Sequence, residues 1–159
     1  MEQTSVPSLA DPPFAVPAAA DDTVTVTLAG EPQGKGRPRA FRRGSFIGHY
    51  TPERTRTYEG MIRTAAMEAM GTRPPFNVPL ELNMLAVCEL LGSWSRKKEA
   101  AALRGDFKPA KRPDCDNILK AWLDAFNGVV WRDDVLVVRI VFEKRYGLAP
   151  CVAATVRPA

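Results

Sequence analysis

The hydrophobic period changes repeatedly along the chain, and each periodic stretch is cut off by glycine or proline. Residues 23–28 alternate polar and apolar side chains with period two, as a strand does, and Gly30 and Pro32 end the run. Gly34, Gly36, Pro38 and Gly44 make residues 34–44 a loop or a loosely paired hairpin, with Phe46, Ile47 and Tyr50 forming a short second strand. Thr51 is expected to N-cap a helix with Pro52 as its first residue. Its apolar positions Tyr58, Met61, Ile62, Ala65, Ala66 and Ala69 run on to Met70, and Gly71 stops it. Residues 79–91 suit one strand with Leu80, Leu82, Met84 and Ala86 on one side. Ser95 caps a charged helix that ends at Gly105. Residues 117–126 carry the apolar stripe of another helix, Ile118, Leu119, Trp122, Leu123 and Phe126, closed by Asn127-Gly128. Residues 135–144 and 152–156 read as strands. This alternation predicts an α/β (α+β) fold: a small mixed sheet of about four strands with about three helices packed on it.

With 159 residues the chain has room for one domain and a tail. Residues 1–22 are rich in proline and alanine and hold Glu2, Asp11, Asp21 and Asp22 but no lysine or arginine. They read as a disordered tail ahead of a domain at 23–159. Because the tail is acidic, the domain is more basic than the net charge of +4 suggests, which suits a polyanionic partner. No apolar run is long enough to span a membrane. Cys88, Cys115 and Cys151 are too scattered for a disulfide framework or a paired-cysteine metal site, which favours the reducing cytoplasm. A single histidine, His49, argues against histidine-bound zinc and a Ser-His-Asp triad. No phosphate-binding loop sequence is present, so no nucleotide cofactor is expected.

The densest chemistry lies at Asp114-Cys115-Asp116. In an extended segment these two carboxylates point to the same side and repel unless a cation lies between them. Mg²⁺ is held in this way, by carboxylates together with substrate phosphate oxygens and water. Asp116 is also placed to N-cap the helix at 117–126, and Lys120 follows one turn later. Asp133 and Asp134 stand at the start of a strand, where alternation lets only one of them face the site squarely. Folded back across one helix and a turn, the second pair would meet the first and give three converging carboxylates. Spacing alone equally allows a cap, a solvated loop residue and a turn. Cys115 reads as a small buried or partly buried neighbour, and Trp94, Trp122 and Trp131 as core.

Two basic clusters accompany the acids. Lys35, Arg37, Arg39, Arg42 and Arg43 crowd a segment without acidic residues between Pro32 and Pro52. Arg96, Lys97, Lys98, Arg104, Lys108, Lys111 and Arg112 form the other, with Lys97 and Lys98 read as a solvated face. Both clusters are expected to contact a DNA backbone.

Taken together, Gly34-Lys35-Gly36-Arg37-Pro38-Arg39, Tyr50-Thr51-Pro52, Ser93-Trp94-Ser95, Arg112 to Lys120, Asp124 to Gly128 and Asp133-Asp134 resemble the RusA family of Holliday-junction resolvases, over about residues 23–158 and in the family's motif order. The resemblance implies a homodimeric endonuclease of bacteria and their phages that acts in the cytoplasm on four-way DNA junctions during recombination and repair. It implies Mg²⁺ as cofactor, with Mn²⁺ able to substitute. It carries the three metal-binding catalytic carboxylates to Asp114, Asp116 and Asp134, the helix lysine to Lys120, and supporting roles to Asn117 and Asp133. Lys35, Arg37, Arg39, Arg42, Arg43, Lys108, Lys111 and Arg112 are the expected DNA contacts. The apolar segments at 79–91 and 118–126 are candidates for part of a dimer interface. A broader branched-DNA or flap nuclease and a non-catalytic DNA-binding module are the alternatives. The tail, and the long basic segment at 95–112, depart from the compact members of the family.

Overall fold

The computed structural model describes residues 22–159, so the expected tail lies outside the described residues apart from Asp22. The elements in chain order are β1 (Val24–Ala29), β2 (Arg39–Arg43), β3 (Phe46–Tyr50), α1 (Glu53–Met70), β4 (Leu80–Glu89), α2 (Arg96–Arg104), α3 (Cys115–Phe126), a single 3₁₀ turn at Asp134–Leu136, β5 (Val137–Gly147) and β6 (Cys151–Pro158). Four strands form a mixed sheet in the order β1-β6-β4-β5, and β2 pairs with β3 as a separate hairpin. β6 lies antiparallel to both β1 and β4, whereas β5 runs parallel to β4. A parallel neighbour requires a crossover, and here α2, α3 and the 3₁₀ turn make it.

Alternation along the strands sets the buried face. Val24 and Val26 of β1, Leu80, Leu82, Met84 and Ala86 of β4, and Val152, Ala154 and Val156 of β6 all point into one core. α1 lays Tyr58, Ile62, Ala66 and Met70 on it, and α3 adds Ile118, Trp122 and Phe126. Trp122, Phe126 and Trp131 pack edge to face at centroid separations of 5.5 and 5.2 Å. The Trp122 indole N–H donates to the Tyr58 hydroxyl at 3.4 Å, which gives α3 a polar contact with α1 inside the core. A satellite cluster of Cys88, Ala102 and Tyr146 with Trp94 and Phe107 fixes α2 against β5.

Several local expectations are corrected. Pro52, not Thr51, occupies the N-cap of α1, with no side-chain cap bond, and its carbonyl accepts from Thr55 and Arg56. α3 begins two residues before the expected start, with Asp114 as its extended N-cap and Asp116 inside the first turn. Cys115 and Asp116 are exposed, so no apolar periodicity marks that turn, and Cys115 is not the buried neighbour expected. The strand expected from residue 135 begins at Val137, because the Asp133 carboxylate accepts from the Val135 N–H at 3.0 Å and folds the chain into the 3₁₀ turn. Trp94 is only half-buried, and the Lys98 ammonium lies 4.3 Å from its ring centre, so Lys98 is not simply solvated. The inward faces of β4 and α3 are consumed by the core. Among the exposed apolar residues, Val135 of the 3₁₀ turn and Val138, Ile140 and Val141 of the edge strand β5 form a run.

On the opposite face of the sheet, Glu81 accepts from Arg139 at 3.1 Å and from Arg157 at 2.7 Å, joining β4 to both neighbouring strands. The hydrogen bonds from Arg157 and Arg139 hold its carboxyl below the ordinary glutamate range. A depressed carboxyl pKa contributes stability above the unfolded value and loses it as pH falls through the folded one. Glu81→Gln is therefore expected to cost about 1 kcal/mol at neutral pH. The difference from wild type should narrow as pH falls from the ordinary carboxyl range through the lowered folded-state value. Paired denaturant melts at pH 7 and pH 3 check this, and a cost undiminished at pH 3 would contradict it.

Candidate functional site

α3 is the spine of the site. Its N-terminus presents Asp114 and Asp116 beside the unpaired amide groups of the first turn, where the helix dipole favours negative charge. Asp114 makes no side-chain cap bond, so its carboxylate is not committed to the helix. One turn later the Lys120 ammonium stands 3.5 Å from the Asp116 carboxylate. The loop leading into Asp114 is tied down from the sheet: the Lys144 ammonium of β5 donates to the carbonyls of Lys111 and Pro113 at 2.6 and 2.8 Å.

The loop at residues 34–36 packs against the starts of both α1 and α3. A Cβ on Gly34 would stand 3.0 Å from the Pro113 Cβ and 3.1 Å from the Asn117 Cβ, and one on Gly36 would stand 2.7 Å from the Thr55 hydroxyl. Glycine at both positions allows this approach. The Lys35 N–H donates to the Asn117 carbonyl at 2.9 Å, and the Gly36 N–H to the Thr55 hydroxyl at 3.0 Å. An open groove of about 870 Å³ results, lined by Arg37, Arg39, Arg54, Arg112, Asp114 and Asn117 among others. Among the described residues, Asp114 is the only acidic one in its lining.

At the far end of α3 the carboxylates gather differently. The Lys35 ammonium bonds Asp124 and lies 3.2 Å from Glu59, so it clamps α3 to α1. Burial pulls its pKa down, but those two carboxylates outweigh the burial and hold it above the ordinary lysine value. The Asp134 carboxyl is raised, first by loss of hydration and then by Asp133 and Asp124. Negative charge therefore accumulates there without enough cationic compensation. The Asn127-Gly128 turn anchors the approach to this pair: the Trp131 indole N–H donates to the Asn127 side-chain oxygen at 2.8 Å, which seats Trp131 in the core and leaves Arg132, Asp133 and Asp134 exposed.

The structure thus places Asp114, Asp116, Asn117 and Lys120 together on the first turns of α3, and Asp133 and Asp134 with Asp124. Asp116 and Asp124 are about two turns, or ~12 Å of helix axis, apart. Among the described residues, no three histidine, cysteine, aspartate or glutamate side chains are grouped as a metal site. Asp133 is engaged by its turn, so the strand alternation expected to rank it against Asp134 does not apply. Arg37, Arg39, Arg42, Arg43 and Arg112 are exposed, Lys35 is internally paired, Lys108 bonds Glu143 at 2.8 Å, and Lys111 lies 3.9 Å from Glu31. Sequence reasoning gave no role to Lys144, Thr55, Glu59, Asp124 or Arg54. Only Asp124 carried a local signal, lying eight residues after Asp116 on the same helical face.

As hard oxygen donors with no thiolate or imidazole among them, the acidic residues suit a cation such as Mg²⁺ in chemistry. The raised Asp134 carboxyl marks charge that such a cation would offset.

The model of a family described as "Endodeoxyribonuclease RusA" matches residues 29–157. A protein of Bacillus subtilis (strain 168), named "Uncharacterized protein YqaN", is 29% identical over 140 residues, which cover 86% of this chain and 96% of that protein. Among the described residues, no helix is long and apolar enough to cross a membrane.

Proposed function

The chain belongs to the RusA endodeoxyribonuclease family, and from that premise we propose that it is a Mg²⁺-dependent endonuclease that resolves four-way DNA junctions in recombination and repair. The observation that carries this reading is the groove in which Asp114 meets Arg37, Arg39, Arg54 and Arg112. A DNA backbone held by those guanidinium groups would pass the N-terminus of α3 with a phosphate near the Asp114 and Asp116 carboxylates.

Asp114, Asp116 and Asp134 are the residues proposed to hold Mg²⁺, with Mn²⁺ as a substitute. The bound cation supplies an activated water and charge stabilisation at phosphate oxygens. Lys120 balances the Asp116 carboxylate and offers positive charge to the scissile phosphate. Asp133 holds the turn that presents Asp134, and Lys144 and the loop at 34–36 fix the entry to α3. Symmetric cutting of two strands calls for two equal sites, which a twofold homodimer provides from one sequence.

Incubation with Mg²⁺ under single-turnover conditions, on a synthetic four-way junction beside linear duplex, flap and Y-shaped DNA, tests the reading. Paired symmetric nicks in the junction arms, absent in EDTA, are expected. Preferred cutting of the flap would favour the broader branched-DNA nuclease, and absence of cutting on every substrate would favour a binding module.

The groove also makes a prediction about charge. Arg37→Ala with Arg39→Ala should weaken duplex binding and lower the slope of log K against log salt by about 1.8. Lys35→Met should leave that slope unchanged and lower the melting temperature instead, since its ammonium is held by Asp124 and Glu59. Salt titrations of all three proteins check both statements, and a slope lowered equally by Lys35→Met would contradict the second.

A further inference from the structure

The hairpin of β2 and β3 packs on little but itself, and every one of its residues is exposed except the half-buried Gly48. Phe41, Phe46, Ile47 and Tyr50 are 44%, 63%, 64% and 47% exposed. Cross-strand register sorts them. Arg39 faces Tyr50, Phe41 faces Gly48 and Arg43 faces Phe46, and directly opposed residues with even spacing share a face. One face is therefore three aromatic rings with an arginine at each end. The Phe41 ring centre lies 6.2 Å from that of Phe46 and 6.3 Å from that of Tyr50. A Cβ at position 48 would stand 2.6 Å from two atoms of the Phe41 ring, so the ring lies across the bare glycine and the three rings form a continuous surface. Gly44, at φ 64° in the first position of the two-residue turn, closes the hairpin.

Resting on the proposed action on DNA, we propose that this face is a base-stacking platform that receives bases unstacked at a DNA branch point. Exposed rings flanked by guanidinium groups, with no acidic residue between Pro32 and Pro52, have the chemistry of a single-strand binding surface: rings take base faces and arginines take phosphates. The surface is continuous with the groove, because Arg39 belongs to both, and Asp114 lines the same groove. Bases held on the hairpin would leave their own backbone running toward the carboxylates. A second copy is a poorer occupant. In a twofold contact the patch meets itself and would set Arg39 and Arg43 against the same arginines.

The test compares the full chain with a Phe41→Ala, Phe46→Ala, Tyr50→Ala variant in EDTA. Fluorescence anisotropy measures affinity for a four-way junction, a single strand and a blunt duplex over a salt series. A junction carrying 2-aminopurine at the branch point reports stacking directly. The expected result is a loss of about tenfold or more on the single strand and the junction, little change on the duplex, and an unchanged salt slope. The wild type should quench 2-aminopurine and the variant should not. Phe41→Trp should retain both properties. Equal losses on all three DNAs, unchanged affinities, or a fall from dimer to monomer in sedimentation with unaltered DNA preference would each overturn the proposal. A wild type that cuts junctions, with a variant that keeps full quenching, would sink the platform alone. A wild type that cuts no branched DNA but loses its single-strand preference in the variant would sink the proposed nuclease reading alone.

Discussion

Asp114→Asn and Asp116→Asn are each expected to lower single-turnover cleavage of a four-way junction by more than about a hundredfold while leaving junction binding intact or slightly tighter. Asparagine is close to isosteric with aspartate and is as good an N-cap, so position 114 keeps its helix-starting role. Position 116 lies exposed in the first turn, and loss of its charge removes only a surface pair with Lys120 and a small helix-dipole contribution. The arginines of the groove are untouched by either change. Tighter binding would follow from removing negative charge beside a phosphate path. Near wild-type cleavage by either variant would remove that residue from the reacting centre.

The second large effect separates two adjacent carboxylates. Asp134→Asn is expected to lose activity by orders of magnitude, and Asp133→Asn by about tenfold or less. The asymmetry follows from what each side chain already does. Asp133 is occupied by the Val135 N–H, a bond that asparagine can also accept. Asp134 is held above its ordinary carboxyl range by loss of hydration and by its acidic neighbours, and among the described residues it forms no ion pair. Rates for both variants, measured beside melting curves to confirm folding, check the ranking. A larger loss at Asp133 would reverse the assignment.

Much of the fold was legible because periodicity reports burial. Val24 and Val26, the four inward residues of β4, and the stripe from Ile118 to Phe126 all lie where the pattern put them. The sequence was less informative where polar contacts, not apolar period, set the boundary. The first turn of α3 is exposed, so its start was misplaced by two residues, and the Asp133 side chain converts an expected strand start into a 3₁₀ turn. The candidate site divides in the same way. Its acidic and basic residues were visible as types and spacings. The internal pairing of Lys35, the tether from Lys144 and the gathering of Asp124 with Asp134 depend on contacts between distant segments, for which the local pattern has no signature.

The central claim is that Asp114, Asp116 and Asp134 together form the seat of a divalent cation on DNA. Electron paramagnetic resonance of Mn²⁺, titrated into the protein bound to a four-way junction in which the cleavable phosphates are blocked, measures this without relying on turnover. Uptake beyond that of the junction alone is expected to saturate in the wild type, and to fall to the level of the junction alone in Asp116→Asn and in Asp134→Asn. Equal uptake by the wild type and both variants would contradict the account.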